Sequence, residues 1–195
     1  MINLIVGFFA TEASLEMNKK EIDYKVKGLI SSGVPRSEVF SQLSGQGLKD
    51  SQLAYLIASY ADPVLCHIHD RKVNFAITLM FVQSAVAFLA GFGIGASIGP
   101  SAQWVAAGLF ALIPLLFAWG FYKHKAGAYN AYIILAITQL PRQLEGFTSS
   151  PIATSVSLAI GVSMLVYVWY VRQKIFPDFS FIAPKKIKGQ YVFAS

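Results

Sequence analysis

The sequence predicts an all-α integral membrane protein, with four transmembrane helices, a small N-terminal cytosolic three-helix module and a short basic-aromatic C-terminal tail. Three observations predict it. Of the 195 residues, 55% are hydrophobic and 13% charged, and the mean hydropathy is +0.53; a soluble domain carries roughly 25% charged residues. Half the usual charge cannot cover a water-facing surface of this length. Fifty consecutive residues between Lys72 and Lys123 carry no charge at all. The basic residues sit in clusters separated by apolar runs, as the positive-inside rule requires of a polytopic chain. The 14% aromatic content excludes a disordered chain. The single cysteine, Cys66, excludes a disulfide scaffold.

Residues 1–16 form an apolar segment. Ile2–Ala10 is too short to cross a bilayer and no basic region precedes it, so it is not a signal peptide. It reads either as an interfacial segment or as a start-site artefact, with translation beginning at Met17. Residues 17–62 read as a cytosolic module of three short helices. Ile22, Val26, Leu29 and Ile30 lie at helical spacing before Gly33. Val39, Phe40 and Leu43 follow Pro35, and Gly45 and Gly47 end that helix. Leu53, Leu56 and Ile57 follow Asp50, which can cap the third helix. A core this small is marginal by itself, so the module needs the membrane, the tail or another protein to pack against.

Asp62-Pro63 is a cap followed by a first-turn proline, and one helix is expected to run from there into the first span. The transmembrane domain covers residues 63–172. The uncharged 50 residues would make a helix of about 75 Å against a hydrocarbon core of about 30 Å, so they must fold back once. The breakers Ser97-Ile98-Gly99-Pro100 place that turn, giving span 1 at residues 73–98 and span 2 at 101–122, with Pro114 inside it. Span 3, residues 126–141, is short; Lys125 and Arg142 can extend it by snorkelling. Span 4 covers residues 151–171 and closes at Arg172.

Of the 16 Lys and Arg, 15 then fall on one face and only Arg142 on the other. The positive-inside rule puts both termini in the cytoplasm. Trp104 marks the outer headgroup level, while Trp119, Tyr122, Tyr129, Tyr132, Tyr167, Trp169 and Tyr170 mark the inner one. The tail, residues 173–195, reads as a basic-aromatic strip on anionic lipid, the alternative being a small hairpin. This placement accounts for the net charge of +6, and no nucleic acid is expected as a partner.

Ala87, Gly91, Gly95 and Gly99 recur every four residues and form one small-residue ridge (a glycine zipper) on span 1. Such a ridge lets another backbone approach closely, either span 2 or span 4 of the same chain, where Gly161 can meet it, or a partner. Gln83, Asn130, Thr138 and Gln139 are the polar groups within the spans, expected to hydrogen-bond between helices. Asn130 and Gln139 fall on opposite faces of one helix and do not form a pore lining. On the outer side Trp104, Arg142 and Glu145 are what an approaching molecule meets, and Arg142 and Glu145 are spaced to pair. Cys66, His69 and Asp70 are weak metal candidates on one helical face, short of the four ligands a closed zinc site needs; no metal and no cofactor is expected.

The spans hold no ionisable residue, the usual mark of proton-coupled transport or intramembrane catalysis, and no acid–base pair suggests an enzyme. The function expected is protein–protein interaction in the bilayer, with a membrane or cytosolic protein partner and homo-oligomerisation as a further option. Size, four spans and inward basic termini are similar in architecture to immunity proteins of pore-forming bacteriocins. The other form of the same reading is an accessory subunit of a membrane complex. The alternative class is an oligomeric channel or small transporter. The location expected is a bacterial cytoplasmic membrane.

Overall fold

The computed structural model describes residues 19–145, 147 and 150–194. The apolar segment at residues 1–16 lies outside them. The chain is mostly helical and divides into two units, residues 19–60 with 176–194, and residues 61–175.

The first unit begins with α1 (Lys19–Ser31), which turns Ile22 and Val26 inward one helical turn apart. It stops where Gly33 takes φ +88° and the N–H groups of Gly33 and Val34 donate back to the carbonyls of Ile30 and Leu29, a glycine-closed helix end. Pro35 sets the entry to α2 (Arg36–Leu43), and Gly45, at φ +78°, follows its end. The third helix is α3 (Asp50–Ala58). Its cap position is Lys49, not Asp50, and no side chain caps it; Asp50 is the first helical residue, and its carboxylate accepts from Ser44 Oγ at 2.7 Å. Ile22, Val26, Val39, Leu43, Leu53 and Ile57 form one core. Water drives this packing, at about 1.5–3 kcal/mol for each large apolar side chain buried.

The tail completes that core instead of forming an extended strip. Strands β1 (Lys186–Ile187) and β2 (Gln190–Tyr191) pair antiparallel, Lys186 opposite Tyr191 and Ile187 opposite Gln190. Lys188 and Gly189 between them both take positive φ (50° and 84°), the geometry a two-residue hairpin requires. Phe193 packs on the helical core, Phe40 meets the rings of Tyr191 and Phe193 at 5.4 and 5.6 Å, and Tyr55 meets Phe179 edge-on at 5.4 Å. A helical core too small to stand alone thus gains a fourth layer from the far end of the sequence.

The second unit opens with α4 (Pro63–Ile68), capped by the Asp62 carboxylate, which accepts from the Val64 N–H at 2.8 Å. The single helix expected from Pro63 into the membrane is interrupted. His69 leaves helical geometry (φ −107°, ψ 12°), and α5 (Asp70–Ala96) starts afresh with the His69 carbonyl accepting from Lys72 and Val73. Neither glycine nor proline marks this break, so nothing in the local sequence signals it. α6 (Pro100–Tyr122) returns after the turn at Ser97–Gly99 and passes Pro114 without interruption. α7 (Ala126–Glu145) and α8 (Pro151–Ile175) follow. Pro141 does not end α7; the helix runs on to Glu145, four residues beyond the expected span.

Three helices, α5, α6 and α8, are long and apolar enough to cross a membrane. They pack as α5 on α6 and α7 on α8, with α6 against α7 and α5 against α8. Lipid offers no hydrophobic drive for helices to associate, so cohesion here comes from close packing and hydrogen bonds. Tyr129 and Tyr132 are buried, not at the headgroup surface. Tyr129 stacks on Phe121 at 4.3 Å, and Tyr132 meets Phe121 and Phe117 edge-on. Trp119, Tyr122, Trp169 and Tyr170 are exposed, as interfacial residues should be.

Candidate functional site

The small-residue ridge is where the backbones come closest. A side chain added at Gly91 would place its Cβ 2.7 Å from the Ala106 carbonyl oxygen, and one at Gly95 would sit 2.6 Å from that of Ala102. Even a methyl group has no room at either position. Ala87 and Gly99, at the two ends of the ridge, are partly exposed, and Gly99 has nothing within 4 Å of its missing Cβ. The ridge therefore lies against α6 of its own chain over Gly91 and Gly95. Gly161 does not meet it; a Cβ at position 161 would instead stand 3.4 Å from the Gln143 side-chain amide oxygen of α7.

The polar residues of the spans divide differently from the expectation. Asn130 is buried and its Oδ1 has no hydrogen-bond partner among the described residues. Gln83 is half-buried, whereas Thr138 and Gln139 are exposed. Thr138 does not bond another helix: its hydroxyl donates to the Leu135 carbonyl of its own turn at 2.8 Å. One side-chain bond that does cross helices is from Ser84 Oγ to the Ala111 carbonyl at 3.0 Å. Sequence reasoning missed it because a serine three residues from the ridge looks like any solvated or self-bonded one. Of the residues expected on the outer side, Trp104 is exposed and meets Phe92 edge-on at 5.1 Å, and Arg142 is exposed. The pairing expected of Arg142 with Glu145 falls on a side chain outside the described residues.

The weak metal candidates do not come together. Cys66 is buried, and desolvation, then the charge of Asp62, pushes its thiol above the ordinary value. Asp70 is exposed and accepts from Asn74 Nδ2 at 3.1 Å. His69 is held below the ordinary imidazole value by desolvation and by the charges of Lys72 and Lys174. Among the described residues no three His, Cys, Asp or Glu side chains converge as a ligand set.

The strongest polar constellation lies in the first unit, at residues the sequence did not single out. Arg36 and Asp178 form a buried ion pair across 142 positions of sequence. The second Asp178 oxygen accepts from the Ala194 N–H, and Arg36 also donates to the Tyr60 carbonyl at 3.4 Å with its guanidinium 5.9 Å from the Tyr60 ring. One carboxylate thus ties α2 to both ends of the tail. The available signal was composition: Asp178 is the single acid in residues 171–195, amid five basic residues. No protein-family model, curated protein or solved structure matches this chain.

Proposed function

We propose that the chain is a four-span protein of a bacterial cytoplasmic membrane, with its head and tail in the cytoplasm, and that it acts by binding another protein. The observation that carries this reading is the Arg36–Asp178 pair. It joins a residue before the first span to one after the last within one folded unit, so both lie on the same side of the membrane. The number of crossings between them is then even. Three helices are long and apolar enough to cross, and α7, with 20 residues, reaches about 30 Å, enough to supply the fourth. The 15-to-1 division of Lys and Arg supports the cytoplasmic side for the paired unit.

Protein binding is favoured over transport for two reasons. Gly91 and Gly95 are already occupied by the chain's own α6 and have no face left to pack protomers around a pore. Asn130 is buried while Gln139 is exposed, so no polar seam runs through α7. The folded unit, in turn, presents Tyr24 at 81% exposure among Lys20, Glu21 and Lys25, an exposed aromatic in a charged rim of the kind that interfaces use. Both forms of the reading, a subunit of a membrane complex and an immunity protein against a membrane-acting toxin, need such a surface.

A photo-crosslinking amino acid at position 24, activated in native membranes before mild extraction, tests it. A stoichiometric adduct with one second protein is expected, together with loss of that protein on purification of Tyr24→Ala. Recovery of only the lone chain or its own multimers would refute the reading.

A further inference from the structure

We propose that the seam between α5 and α8 binds one anionic phospholipid, its phosphate held by Lys72 and Lys174 and one acyl chain lying along the apolar furrow beyond them. At the end of the membrane unit where α5 begins and α8 finishes, lysines from the two helices converge on one ring. Lys72 Nζ stands 5.3 Å, and Lys174 Nζ 5.7 Å, from the centre of Tyr170. His69, just before α5 and three residues from Lys72, is held below the ordinary imidazole value by desolvation and by the charges of the same two lysines. Neither lysine pairs with a carboxylate among the described residues, and neighbouring Asp70 is engaged by Asn74. Two like charges and a polar ring on one seam, neither charge paired with a carboxylate, fit an anion.

What lies beyond the charges selects a lipid over a soluble phosphate. Tyr167 donates from its hydroxyl to the Lys72 carbonyl at 3.1 Å, and its ring meets Phe75 edge-on at 5.1 Å. From there a furrow of about 440 Å³ runs between the helices, lined mainly by apolar side chains, Phe75 and Leu79 on α5 and Ile160, Met164 and Tyr167 on α8, together with the small residues Ala159 and Ser163. Positions 72, 75 and 79 on α5, and 174, 170, 167 and 160 on α8, follow steps of three, four and seven, so each set is one stripe on its helix. The two stripes are cationic at one end and apolar along the rest. That is the pattern of an amphiphile, and it stands on α5 and α8 whatever protein partner the chain has.

Native mass spectrometry of the whole protein in neutral detergent tests the site. It is titrated separately with phosphatidylglycerol, with phosphatidylcholine of the same chains, and with inorganic phosphate. The expected result is preferential binding of phosphatidylglycerol, weak binding of the other two, and an affinity for phosphatidylglycerol lowered about thirtyfold in the Lys72→Gln/Lys174→Gln double variant. Ala159→Phe, which fills the furrow without touching the charge, should weaken phosphatidylglycerol while the elution volume and helical content stay those of the wild type. Equal binding of the two lipids by the wild type would overturn the proposal. So would phosphate binding as tightly as phosphatidylglycerol, or full affinity retained in the double variant or in Ala159→Phe.

Discussion

At the residue scale, the glycines of this chain do different work according to what faces them. Gly91 and Gly95 sit under backbone carbonyls of α6, whereas Gly93 and Gly108 have nothing within 4 Å of a built Cβ. The contrast predicts opposite effects for one substitution. Gly91→Ala or Gly95→Ala forces α5 and α6 apart and should cost about 1–3 kcal/mol, as overpacking does. Gly93→Ala and Gly108→Ala should be neutral or stabilise by up to about 1 kcal/mol, because alanine is the better helix former. Thermal unfolding of the four variants in one detergent checks this, and a lower Tm for all four would show that general helix strain, not the α5–α6 approach, sets the outcome. Gly120 belongs with the first pair, since a Cβ there would run into the Ala128 methyl of α7. Spacing alone did not reveal it, as no second glycine accompanies it at a four-residue step.

At the scale of elements, the tail hairpin and α2 depend on one carboxylate. Removing one partner of a buried ion pair leaves an uncompensated charge in a poorly solvated place, at a cost of about 3–5 kcal/mol; replacing both by apolar side chains is often close to neutral. Arg36→Ala should therefore release the tail, raising amide hydrogen exchange at residues 186–192 toward the rate of an open chain. Arg36→Met combined with Asp178→Leu should restore most of the protection. If Arg36→Ala leaves exchange unchanged, the aromatic contacts of Phe40 and Tyr55 hold the tail without the ion pair. The same element contains a segment whose reading the structure reversed. Alternating aromatics around Pro184 and a run of lysines suit both a lipid-bound strip and a strand pair, and the helical core beside them decided for the hairpin.

At the scale of the whole molecule, parity makes the proposed topology testable. With residues 36 and 178 paired, a cysteine at Tyr24 and one at Lys188 should both be labelled from the same side of sealed vesicles by an impermeant maleimide in a Cys66→Ser background. A cysteine at Ser150, between α7 and α8, should be labelled only from the other. Labelling of position 150 from the side of positions 24 and 188 would remove α7 from the membrane and require another chain path. The α4–α5 break at His69 also belongs to this scale. It separates a short helix outside the apolar run from the long one within it, at a point where residues 66–70 contain neither glycine nor proline.

Composition and charge order by themselves determined that the chain is mostly helical with long apolar helices, where the long uncharged run folds back, and which ends of the apolar runs carry the basic residues. These are one-dimensional properties: hydropathy needs only a length of chain to be read, and a glycine ridge needs only its four-residue step. Tertiary structure alone decided that the ridge is used within the chain over Gly91 and Gly95, that Tyr129 and Tyr132 are core and not interface, and that Arg36 meets Asp178. The physical reason is common to all three. Helical periodicity says which residues share a face, but not what that face is pressed against, and a contact across 142 positions leaves no local trace in either segment.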